Sequence, residues 1–152
     1  MATFLQQPND RRDDPRPRKR VKNIKPLVLV AEDHDDTRFM LMYLLEIRGY
    51  RVALAGDGEA AVRMAEQMCP DLILMDASLP RLDGLAATRR IRETSALARV
   101  PVIFLSGHAH PSFRAVALET GGDDYLVKPL ELAQLERVLE RHLPKSGAGK
   151  AD

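Results

Sequence analysis

The sequence predicts an α/β fold, a doubly wound five-stranded parallel sheet with five helices covering both faces. Three observations predict it. Five short apolar runs recur along the chain, each followed by a segment with apolar residues at helical spacing. The runs are continuous rather than alternating, as strands buried on both faces are. Polar residues, among them Glu32, Asp33, Asp76, Ser106 and Lys128, stand where the runs end.

Leu27–Ala31 is the first strand. Asp36 is placed to cap a helix reaching about Arg48, with Met40, Leu41, Leu44 and Leu45 as its inner stripe and Gly49 at its C-terminal cap. Arg51–Ala55 is the second strand; Gly56-Asp57-Gly58 turns into a helix through Ala61, Val62, Ala65 and Met68 that Pro70 stops. Leu72–Met75 is the third strand, running into Asp76, and Gly84–Arg92 the third helix. Val102–Leu105 is the fourth strand, followed by a helix from about Pro111 to Gly121-Gly122. Tyr125–Val127 is the fifth strand, and Leu130–His142 the last helix, with Leu132, Leu135 and Leu139 inward.

Of 152 residues, 45% are hydrophobic, enough to fill one core, and no stretch is long and apolar enough for a membrane span. No secretory leader is visible, and Cys69, the lone cysteine, excludes an internal disulfide, so a cytoplasmic protein is expected. Cys69 itself reads as a small buried residue. Residues 1–25 hold eight basic side chains against three acidic ones, broken by Pro8, Pro15 and Pro17. They read as a basic, disordered extension, before a body at 26–144 and a flexible tail at 145–152. The head could attract nucleic acid or an acidic partner, but a solvated extension is the favoured reading, so a nucleic-acid partner is not expected.

In a parallel sheet the ligand site lies beyond the carboxyl ends of the strands. Carboxylates gathered there repel one another unless neutralised, and Mg²⁺ suits a few carboxylate oxygens plus waters. Adding a lysine and a hydroxyl makes a phosphoryl-transfer site: the cation and Lys128 offset charge, Ser106 donates to an oxygen, and Asp76 is the nucleophile.

Over Leu27–Leu143 the chain resembles the receiver domain of two-component response regulators. The resemblance rests on Val30-Ala31-Glu32-Asp33, on Asp71-Leu72-Ile73-Leu74-Met75-Asp76 with Leu79-Pro80 and Asp83-Gly84 beyond it, on Ser106-Gly107, and on Gly121 through Pro129. It implies a flavodoxin-like sheet of strand order 2-1-3-4-5, with Asp76 on the central strand. It also implies that Asp76 accepts a phosphoryl group from a histidine kinase or phosphotransfer protein. The metal ligands are then Glu32, Asp33, Asp76 and the backbone carbonyl of Ser78. Ser106 and Lys128 bind the phosphoryl group, Ser106 and Tyr125 form the switch pair, and the peptide before Pro129 is cis. Phosphorylation then changes the surface of the fourth helix, fifth strand and fifth helix. Glu32 stands where the family more often has Asp, and Ser78 and His108 occupy positions that tune the phosphoryl group's lifetime.

Phe39, Met42 and Tyr43 are surplus to the first helix's inner stripe and are candidates for kinase docking. His34, His108 and His110 do not read as a transition-metal site. The expected protein is a stand-alone receiver that signals or relays to an unknown downstream protein, with homodimerisation a family habit. A phosphatase with an Asp nucleophile needs a second acid two residues on, where this chain has Ser78, so the protein is not read as an enzyme beyond its own phosphorylation and dephosphorylation. A DNA-binding regulator would need a further helical unit, and a silent scaffold would not need the five site side chains.

Overall fold

The computed structural model describes residues 24–107 and 110–143. The basic head up to residue 23, His108 and the tail beyond 143 lie outside the described residues, and so do the readings made for them. Strands β1 (Leu27–Ala31), β2 (Arg51–Ala55), β3 (Leu72–Asp76), β4 (Val102–Ser106) and β5 (Asp124–Val127) form one parallel sheet of order β2-β1-β3-β4-β5. Helices α1 (Asp35–Ile47), α2 (Gly58–Met68), α3 (Gly84–Glu93), α4 (Pro111–Glu119) and α5 (Leu132–His142) connect and follow them, with a 3-10 turn at Ser95–Leu97 after α3.

Every residue of β1, β3 and β4 is buried, which is why these strands read as unbroken apolar runs. Successive side chains point to opposite faces. Val28, Val30, Leu72, Leu74, Ile103 and Leu105 meet α1 and α5, while Leu29, Ile73, Met75, Val102 and Phe104 meet α2, α3 and Ala117 of α4. Each of these large side chains contributes about 1.5–3 kcal/mol through burial. Among the described residues no helix is long and apolar enough to cross a membrane.

The tertiary structure corrects several local expectations. The N-cap of α1 is His34, without a side-chain cap bond, and Asp36 sits inside the first turn. Met40 is 47% exposed, Leu44 is only half-buried, and the inward stripe is Leu41 and Leu45, one turn apart. Apolar residues are consecutive from Phe39 to Leu45, so spacing alone could not choose which pair faces the sheet. Met68 and Leu132 are likewise exposed, at the C-terminal end of α2 and the first position of α5, and Val138 joins Leu135 and Leu139 inside. The α5 helix therefore begins two residues later than expected. Cys69 is exposed rather than buried, and it ends α2 in the left-handed conformation with φ 48°.

Candidate functional site

At the carboxyl ends of β1, β3, β4 and β5 four polar clusters meet. Glu32 follows β1; its N–H donates to Ala55 O at 3.0 Å, and its side chain is fully buried. Asp76 ends the central strand and is 3% exposed. Ser106 ends β4, is 2% exposed, and accepts the Lys128 N–H at its carbonyl, 2.8 Å away. The Lys128–Pro129 peptide is cis.

Lys128 Nζ donates to Glu32 Oε1 at 2.8 Å and to Asp76 Oδ2 at 2.9 Å. The other Asp76 oxygen, Oδ1, accepts from Ser78 N at 2.9 Å. Burial raises the Asp76 carboxyl above its ordinary value; the Ser78 N–H and Lys128 offset part of that, and the Glu32 charge adds to it. Burial would raise Glu32 too, but its bonds from Lys128 and from the backbone and ring of His34 outweigh this and hold it low. Burial opposes a charged Lys128, yet its two carboxylate partners prevail and raise it, so the ammonium persists.

Asp33 is placed differently. Its Oδ1 is buried without a hydrogen-bond partner among the described residues. The His34 Nδ1 lies 3.3 Å away, but its hydrogen bond goes to Glu32 Oε2 at 3.1 Å. The Glu32 bond, followed by the Asp33 and Glu32 charges, raises the His34 pKa. One ligand atom from each of Glu32, Asp33, His34 and Asp76 lies within 4.8 Å of the others. Three carboxylates against one ammonium, with an orphaned oxygen among them, form a donor set that fits a hard divalent cation.

The sequence reading thus finds Glu32, Asp33, Asp76 and Lys128 together, with Ser106 beside them on β4. It did not anticipate His34 against the carboxylates, because a residue after an acidic pair carries no periodic signal. His110 is elsewhere, capping α4 with its Nδ1 accepting from Ser112 N at 3.1 Å. Nor did it anticipate Arg38, whose Nη1 donates to Glu32 O at 2.8 Å and ties α1 to the site. Gly84 lets α3 begin against the Asp76 backbone: a Cβ there would lie 2.1 Å from Asp76 O. Its N-cap Asp83 accepts from Ala86 N at 2.8 Å. Tyr125 is buried at 7% exposure, with its ring 6.2 Å from that of Phe113 and the Arg114 guanidinium 5.9 Å above it. On α1, Phe39 and Tyr43 are 49% and 63% exposed, whereas Met42 is half-buried.

Residues 28–140 match the family model of the response regulator receiver domain. The response regulator MprA of Mycolicibacterium vanbaalenii is 36% identical over 128 residues, which cover 82% of this chain and 54% of that protein. The phosphate regulon transcriptional regulatory protein PhoB of Rhizobium meliloti is 36% identical over 126 residues, covering 79% of this chain and 55% of that one. The chain thus spans about half the length of these relatives. Among solved structures, the receiver domain of a sensor histidine kinase from Pseudomonas aeruginosa, with magnesium coordinated in its active-site cleft, is 42% identical. It covers 78% of this chain and 97% of its own, with a TM-score of 0.73. The receiver domain of Ssk1 from Saccharomyces cerevisiae, crystallised with the histidine phosphotransfer protein Ypd1, is 28% identical at a TM-score of 0.72, covering 78% and 89%.

Proposed function

The chain belongs to the response regulator receiver domain family of two-component signalling, and from that premise we propose that it is a switch phosphorylated on Asp76. The observation that carries the reading is the Asp76 carboxylate at the end of the central strand, one oxygen on Lys128 and the other on the Ser78 N–H, beside the buried Glu32 that follows β1. A partner's phosphohistidine is the expected donor. An Asp76 oxygen bonds to phosphorus, the P–N bond breaks, and the departing imidazole keeps the electron pair and takes a proton.

Glu32, Asp33, Asp76 and the Ser78 carbonyl are the residues that would hold Mg²⁺. When bound, the ion supplies charge neutralisation at the phosphoryl oxygens. Lys128 adds a positive charge at Asp76 Oδ2, and the Ser106 hydroxyl would serve as a donor to the new oxygens. An aspartyl phosphate adds charge and strong acceptors where the carboxylate had two satisfied oxygens. The arrangement of the loop after Ser106 that serves those acceptors is favoured, and Tyr125, on the next strand, moves with it. The readout is the α4–β5–α5 surface, offered to a protein partner or to a second copy of the chain.

The α1 face is the proposed docking site for the phosphodonor, since Phe39 and Tyr43 stand out from it. Catalysis is confined to the chain's own phosphorylation and dephosphorylation.

The test is intact mass after incubation with acetyl phosphate and Mg²⁺. One phosphoryl adduct that requires Mg²⁺ and disappears in Asp76→Asn is the expected result. An adduct that survives the substitution would place the phosphoacceptor elsewhere. No adduct, together with no spectral response to beryllofluoride, would replace the switch with a scaffold.

A further inference from the structure

Beyond the phosphoryl site, the described surface carries a concavity of about 330 Å³ at the open edge of the sheet, between α4, β5 and α5. Its charge is one-sided. Arg137 and Arg141 come from α5, where Gln134, Arg137 and Arg141 stand at i, i+3 and i+7 on one face, and Arg114 comes from α4. One carboxylate, Asp124, faces these three guanidinium groups. Asp124 Oδ2 accepts from Arg141 at 2.7 Å and lies 3.0 Å from His142 Nε2, so its charge is already shared. Arg114 and Arg137 have no carboxylate partner among the described residues; Arg114 instead lies over the Tyr125 ring.

We propose that this concavity docks an acidic segment of a partner protein, whose carboxylate side chains are held by Arg114 and Arg137 at its two walls. The proposal rests on the reading of α4–β5–α5 as the readout surface and names the chemistry of the partner that reads it. The planar guanidinium fork matches a carboxylate with two parallel hydrogen bonds. Leu126 and Val138 are among the lining residues, and Leu118, one turn along α4 from Arg114, is 38% exposed. Apolar residues between the carboxylates of the partner therefore find contacts as well. A nucleic-acid backbone fits less well. It needs an unbroken basic track, and here Asp124 would face the phosphates. Tyr125 couples the concavity to the switch, being a wall of the pocket and the ring beneath Arg114. Any displacement of that ring on phosphorylation moves a docking arginine.

The experiment uses the full chain and a short fluorescein-labelled peptide alternating glutamate with leucine, with a glutamine–leucine peptide as control. Binding is followed by anisotropy, with and without Mg²⁺ and beryllofluoride. The acidic peptide should bind and the glutamine peptide should not. Arg137→Glu and Arg114→Glu should each weaken binding by about tenfold, the worth of one charge-assisted hydrogen bond. Arg137→Gln provides the milder variant, and unchanged thermal unfolding and unchanged phosphorylation by acetyl phosphate would show that the fold is intact. Equal binding of both peptides, or binding indifferent to both arginine reversals, overturns the proposal. So does displacement of the peptide by a DNA oligonucleotide at lower concentration, or self-association lost in Arg137→Glu without any peptide binding. If the arginines control binding but beryllofluoride has no influence on it, the docking site stands and its coupling to the switch falls. If Asp76 is phosphorylated but no acidic peptide binds in either state, the docking proposal alone falls.

Discussion

The ammonium of Lys128 lies 2.9 Å from the Asp76 carboxylate although their strands are not neighbours: β4 runs between β3 and β5. The lysine bridges across the end of β4 and continues to Glu32 beyond β1, so one positive charge is shared by two buried acids from distant segments.

Removing that charge leaves both carboxylates without the ammonium they share. Lys128→Met should lower unfolding free energy by about 2 kcal/mol in urea with a metal chelator present, at the low end for a buried pair because Lys128 is partly exposed. In a Glu32→Gln background the same substitution should lose less than about 1 kcal/mol. Equal losses in both backgrounds would mean that Glu32 and Lys128 are not energetically coupled.

Gly84 and Gly107 flank the same site but differ in what surrounds them. A Cβ at Gly84 meets the Asp76 and Ala77 backbone, whereas one at Gly107 meets nothing within 4 Å. Gly84→Ala should therefore destabilise by about 3 kcal/mol, against the helix propensity it adds, and Gly107→Ala by under about 0.5 kcal/mol. Thermal melts of the two variants decide it, and similar losses would contradict the close approach of α3 to β3.

Asp124 supplies the pH dependence. Burial alone would raise its carboxyl, but the His142 bond, the Tyr125 N–H and the Arg141 charge outweigh burial and hold it below the ordinary range. A folded pKa below the unfolded one means stability that is present above the unfolded value and lost as pH falls through the folded one. Asp124→Asn should thus cost about 1 kcal/mol at neutral pH, with the gap from the natural chain closing in strong acid. A gap that stays constant into strong acid would refute the assignment.

Phe39 and Tyr43 are exposed on α1 and contribute little to the core. Phe39→Ser and Tyr43→Ser should each change stability by less than about 0.5 kcal/mol. Both should slow phosphotransfer from a phosphorylated histidine phosphotransfer protein and leave the rate with acetyl phosphate unchanged. Met42 is half-buried, so its replacement mixes docking with packing and is the poorer probe. Equal slowing with both donors would exclude a docking role.

The sequence by itself determined the strands, their order of appearance and the clustering of acids at their ends. Strands buried on both faces must be apolar throughout, and the carboxyl ends of a parallel sheet lie on one side, so Glu32, Asp33, Asp76, Ser106 and Lys128 could be brought together without coordinates. Only the tertiary structure decided which faces of the helices turn inward. In α1 apolar residues surround the axis, and packing against the sheet selected Leu41 and Leu45 over Met40. It also decided that Cys69 faces water, that His34 lies on Glu32, and that Arg114 and Arg137 line one concavity beside β5. These relationships join residues through packing between elements, and periodicity along one chain segment contains no record of what another segment brings to meet it.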